Sequence, residues 1–192
     1  MKKLFYFSIL FILTAFTCES DDALVEEEPL FPEAAAGEIV IEADGSLLVL
    51  NDQAEAYVSE CNIVVFGLKQ NPDDSNVSLN ILLPNTAELT DYILEDYAAN
   101  GEYCTVFRVG LSFADPADPD NSVYYSSFSN FGGSGILTIT TFDFDPPSGG
   151  PYTISGHFEV IGADIEGSVT PIAFRGSFNT ITINTTCSSP FC

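Results

Sequence analysis

Residues 38–192 predict an all-β fold, an antiparallel β-sandwich or flattened barrel of about nine to ten strands with one short helix. Three observations lead there. Apolar and polar residues alternate with period two over segment after segment. Clusters of Gly, Pro, Asp and Asn punctuate that alternation, leaving connections too short for helical crossovers. One segment instead carries apolar residues at helical spacing.

Taken in order, the first strands are Glu38–Ala43 and Ser46–Leu50, separated by "ADGS", and the apolar run 61–68. In "VSLNILL" Val77, Leu79, Ile81 and Leu83 share a face, and "QNPDDSN" supplies the turn before it. The stretch 85–101, "NTAELTDYILEDYAANG", predicts the helix. Asn85 and Glu88 have capping-box spacing, Leu89, Tyr92, Ile93 and Tyr97 make an apolar face, and Gly101 can stop it. Tyr103, Thr105, Phe107, Val109, Leu111 and Phe113 then alternate along a strand that ends in "DPADPDNS". Strands at 123–128 and 135–144 follow, with "DPPSGGP" closing the second. In "YTISGHFEV" Tyr152, Ile154, Phe158 and Val160 face one way and Thr153, Ser155, His157 and Glu159 the other. The last strand runs from Ile172 through Phe178 to Ile183. About 150 residues suit one domain with a sizeable core, and no repeat of solenoid period is visible.

Residues 1–17 read as an export signal. Lys2 and Lys3 precede an apolar stretch from Leu4 to Phe16, which as a helix reaches roughly 20 Å against a hydrocarbon core of about 30 Å, too short to span. Ala15, Phe16 and Thr17 before Cys18 resemble a lipobox, which makes Cys18 the lipidated N-terminus; ordinary cleavage would leave it a thiol. Cys18 followed by "ESDD" resembles the export signal of surface lipoproteins of the Bacteroidota. That resemblance implies that Ser20, Asp21 and Asp22 direct the protein to the outer leaflet of the outer membrane, where its acyl chains hold it facing the cell exterior. The strands "GSGILTITTFDFD", "YTISGHFEV" and "FRGSFNTITI" also resemble an uncharacterised group of small Bacteroidota lipoproteins, domain of unknown function 6252, which brings no catalytic residues with it.

Residues 18–37 predict an acidic disordered tether, since Glu19 to Gly37 hold seven carboxylates and no cation, with Pro29 and Pro32 preventing regular pairing. Removing Lys2 and Lys3 with the signal takes the formal charge from −23 to −25 and leaves Lys69, Arg108 and Arg175 as the only bases. No basic stripe exists to neutralise phosphates, so nucleic acid is excluded as a partner, and attachment to anionic lipid must come from acyl chains.

Apart from Cys18, the cysteines form an even set in an oxidising compartment: Cys61, Cys104, Cys187 and Cys192. Three pairings are possible, and Cys61 with Cys104 and Cys187 with Cys192 is the favoured one. The spacing offers no C-x-x-C for zinc. Calcium is the better chemical candidate, because Asp115, Asp118, Asp120 and Asn121 offer hard oxygen ligands within one loop, and Asp73 and Asp74 mark a second acidic loop. The alternative for both is an ordinary acidic turn.

Catalytic chemistry finds little footing. His157, the only histidine, sits on a polar strand face, no G-x-S-x-G elbow exists, and Asp143 and Asp145 lie about 7 Å apart by strand rise at a strand end. Tyr124 and Tyr125 are the available substitutes for the Trp platforms common in sugar recognition, since the chain has no Trp. The expected function is a non-enzymatic binding or structural lipoprotein of the outer membrane surface, its partner a glycan or an envelope protein. A small extracellular hydrolase acting on glycan or ester substrates is the alternative.

Overall fold

A computed structural model describes residues 31–59, 62–73, 75–84, 88–94, 107–114, 122–143, 151–164, 166–167 and 169–184. The described residues form β1 (Glu38–Ala43), β2 (Ser46–Leu50), β3 (Gln53–Ser59), β4 (Asn62–Gln70), β5 (Asn76–Pro84), β6 (Asp91–Ile93), β7 (Arg108–Ala114), β8 (Val123–Ser126), β9 (Ser134–Asp143), β10 (Thr153–Asp164) and β11 (Ile172–Asn184). A 3₁₀ turn at Ser129–Phe131 is a short exception to this all-β build.

Two layers share these strands. One runs β2-β1-β11-β10-β9-β6, the other β3-β4-β5-β7-β8. The two longest strands turn the corners between them. β10 pairs with β9 along most of its length and then gives Ala163 and Asp164 to β8. β11 pairs with β1 and β10, and its end, Ile183 and Asn184, then runs parallel to Ala56 and Tyr57 of β3. Hydrogen bonding therefore closes on itself through β11, β3, β4, β5, β7, β8 and β10, a flattened barrel from which β1–β2 and β9–β6 extend as flaps.

A bulge precedes the β11 corner. Between Ile154 and Gly156 of β10 the partner strand advances from Ile181 to Phe178, one residue more, and Thr180 in that extra step has φ +53°. Ser155 Oγ accepts the Thr180 N–H at 2.8 Å, satisfying a donor that the bulge removes from the ladder. The same bulge buries Ser155, which the alternation of the sequence assigns to the polar face.

Among the described residues a single apolar cluster fills the interior. Ile39 and Ile41 of β1, Ile63 and Val65 of β4, Leu79 and Ile81 of β5, Leu111 of β7 and Phe158 and Phe178 are all buried within it. Each strand reaches it through alternate residues, as the period-two pattern requires.

The helix expected over 85–101 is corrected where the structure describes it. Asp91–Ile93 is an edge strand paired with Ile136, Leu137 and Thr138 of β9. Tyr92 and Leu94 turn inward, with the Tyr92 ring stacked on Phe107 at 4.1 Å, while Ile93 is 72% exposed. Inward residues two apart overrode the helical spacing because β9 offered an open ladder to pair with. β3 is a strand the sequence did not announce.

Candidate functional site

The polar face of β10 and β11 carries the most organised arrangement of functional groups among the described residues. Cross-strand pairing sets out two rows on it. Glu42, Arg175 and Glu159 lie side by side on β1, β11 and β10; Val40, Ser177, His157 and Thr138 form the next row, across β1, β11, β10 and β9. In the first row Arg175 donates from Nε and Nη2 to the same Glu42 oxygen, at 2.9 and 2.8 Å. Both side chains are about one-third exposed (36% and 35%), so the pair contributes no more than about 1 kcal/mol.

Across the second row lies a strap formed by residues 31–34. The Phe31 ring sits over His157, centroids 4.1 Å apart and planes tilted by 32°. Ser177 Oγ donates to the Pro32 carbonyl, and Asn179 Nδ2 donates to the Ala34 carbonyl at 3.0 Å. The chain then turns back, with Glu38 N–H donating to Ala35 O at 3.0 Å and Gly37, at φ +82°, donating to Asn179 O at 2.7 Å, before entering β1. The strap thus follows β11 in the same direction, its acceptors two residues apart and matched to donors two residues apart. The compact unit begins at Phe31, and residues 31–37, which composition assigns to the tether, pack on the sheet. A groove of about 410 Å³ remains between strap and sheet, bordered by Glu33, Thr140, Ser155 and His157.

The other sequence-derived residues fall elsewhere. Cys18, Ser20, Asp21, Asp22, Cys61, Cys104, Cys187 and Cys192 lie outside the described residues, as do Asp115, Asp118, Asp120, Asn121, Asp74 and Asp145. Asp73 is exposed and accepts from Ser75 N–H at 3.1 Å and Ser75 Oγ at 2.6 Å; these bonds hold its carboxyl below the usual carboxylate range, the work of a turn. Tyr124 and Tyr125 point to opposite faces and form no common platform. Tyr125 packs on the core, while the Tyr124 ring lies over Gly110, its hydroxyl pushed up by burial against a smaller opposing effect of Arg108. Arg108 lies 5.4 Å above the Phe128 ring.

Sequence reasoning missed the strap and the placement of Ser177 directly across from His157. The cross-strand register that makes them neighbours has no local signature. Compared with protein-family models, curated proteins and solved structures, the chain matches none.

Proposed function

We propose that this chain is a lipid-anchored cell-surface protein with a binding or structural role, held in the outer membrane by acyl chains on Cys18 and directed outward by Ser20, Asp21 and Asp22. The observation that carries the non-catalytic reading is the use made of His157 and Ser177. The histidine lies under Phe31 and the hydroxyl is committed to a main-chain carbonyl, so both serve to hold a segment of polypeptide. The anchor rests on the lipobox-like sequence. Two acyl chains, at about 0.8 kcal/mol per buried methylene, anchor stably without any contact from the domain.

Replacing Cys18 with Ala should abolish incorporation of labelled fatty acid, and replacing Asp21 and Asp22 with Ala should leave the lipid while shielding the domain from protease added to intact cells. Unchanged labelling of the Cys18 variant would refute the anchor, and unchanged protease access would refute the address. Calcium at the 115–121 loop belongs to the same surface reading. Excess calcium should raise the melting temperature of the wild-type chain but not of an Asp118→Ala, Asp120→Ala variant; equal melting of both with and without the ion would exclude it.

A small hydrolase is the second reading, favoured by one specific feature: Ser177 and His157 are direct cross-strand neighbours beside a groove. It requires labelling by a fluorophosphonate probe that disappears on Ser177→Ala, and an unlabelled wild-type chain rejects it.

A further inference from the structure

We propose that the outer face of β10 and β11 is a recognition site for an extended peptide bearing an aromatic residue followed by proline, and that residues 31–34 are its occupant in cis. This deepens the binding role proposed above by naming the partner's chemistry. Its test makes no use of the anchor, so either can fail without the other.

The contacts are those of peptide recognition rather than of sheet formation. β11 already pairs through its main chain with β1 on one side and β10 on the other, so the strap is held by side chains standing on the face. Ser177 and Asn179, alternate residues of β11, donate to the carbonyls of Pro32 and Ala34, alternate residues of the strap. Such contacts read main-chain shape and tolerate different side chains, as strand and polyproline readers do. The strap is held at Pro32 through its carbonyl, so the missing N–H of proline costs nothing there. The fixed φ of proline meanwhile reduces the entropy lost on docking. One position adds side-chain selectivity: the Phe31 ring over His157. Together these features define the partner as aromatic-Pro-x-small, extended, and presenting carbonyls two residues apart.

The cis strap competes with any such partner. Joined to β1 through a turn of three residues, it acts at an effective concentration in the millimolar range, so an external peptide gains access only when the strap is weakened. The experiment uses the full-length chain in detergent and a fluorescent peptide of sequence FPEAAA, copied from residues 31–36, with binding followed by anisotropy. The wild-type chain should bind weakly and the Phe31→Ala chain at least tenfold more tightly. Adding Ser177→Ala and Asn179→Ala to Phe31→Ala should cancel that gain. Where the triple variant fails to fold by circular dichroism, Asn179→Asp with Phe31→Ala removes the Ala34 donor at constant size and should likewise cancel the gain. Equal affinity of wild type and Phe31→Ala overturns the proposal, as does a gain that survives loss of the donors. A Pro32→Cys, Ser177→Cys chain that crosslinks between copies rather than within one also overturns it, assigning the face to the strap of a second copy.

Discussion

Gly156 and Gly176 show how single residues set the spacing of this core. Phe178 lies opposite Gly156, and Phe158 lies opposite Gly176, so each ring covers the glycine of the neighbouring strand. A Cβ on Gly156 would run into the Thr138 carbonyl oxygen and come within 2.7 Å of Phe178 Cζ, and one on Gly176 would come within 2.5 Å of the Val40 carbonyl oxygen and 2.6 Å of Phe158 Cζ, so relieving the ring can recover only part of the cost. Gly176→Ala should therefore destabilise the protein by about 1–3 kcal/mol in urea denaturation, and adding Phe158→Leu should return part of that loss; simple additivity of the two would show that the ring is not the obstacle. Tyr124 yields a pH prediction. Its folded-state pKa is raised above the unfolded value near 10, mainly by burial, so the folded state holds the proton longer. Stability is unaffected by this group below pH 10 and falls as pH rises from there towards the folded pKa. Tyr124→Phe should flatten the alkaline limb of a stability–pH curve, and an unchanged slope would contradict the assignment. At this scale the sequence marked His157 as singular but not its task, because a ring contact with Phe31 more than a hundred positions earlier leaves no local trace.

Among the elements, nine strands follow directly from alternation in the sequence, and the two misread segments have physical reasons. β3 turns Ala54, Ala56 and Val58 towards the core, and small residues make a faint period-two signal. At β6 the inward residues, Tyr92 within the strand and Leu94 just after it, sit among others that also satisfy helical spacing, and only the presence of β9 decides between the two periods. The strap was hidden by composition: acids and prolines mark a solvated spacer, and an element held through carbonyl acceptors needs no apolar pattern. Its contribution is measurable. One aromatic contact, two side-chain hydrogen bonds and the Gly37 N–H bond to Asn179 O, at about 1 kcal/mol each, are together worth about 4 kcal/mol, so a chain starting at Glu38 should melt measurably below one starting at Phe31. Equal melting temperatures would mean that the strap adds nothing to the fold.

For the whole molecule, closure of the barrel depends on pairings no local pattern can announce. Ile183 and Asn184 meet Ala56 and Tyr57 in parallel register, and Ala163 and Asp164 meet Ser126 and Tyr125, which is why the sequence left sandwich and barrel equally open. Charge is legible at this scale without any fold. With 28 acids against 5 bases the chain repels itself, and screening shortens the reach of that repulsion from about 30 Å at 0.01 M salt to about 3 Å at 1 M. The melting temperature should rise as sodium chloride is added over that range, and a fall would show that specific ion pairs such as Arg175–Glu42 outweigh the net repulsion. The strap has a mechanical consequence as well. Were Cys18 the anchor, as proposed above, the segment of thirteen residues from it to Leu30 would give at most about 45 Å of reach. Tension along it would arrive first at Phe31 over His157, then at Pro32 on Ser177, then at Ala34 on Asn179, each yielding in turn before the ladder of β1 carries any load. Peeling those contacts releases roughly 20 Å of slack, so the strap would act as a fuse that lengthens under pull and spares the barrel behind it.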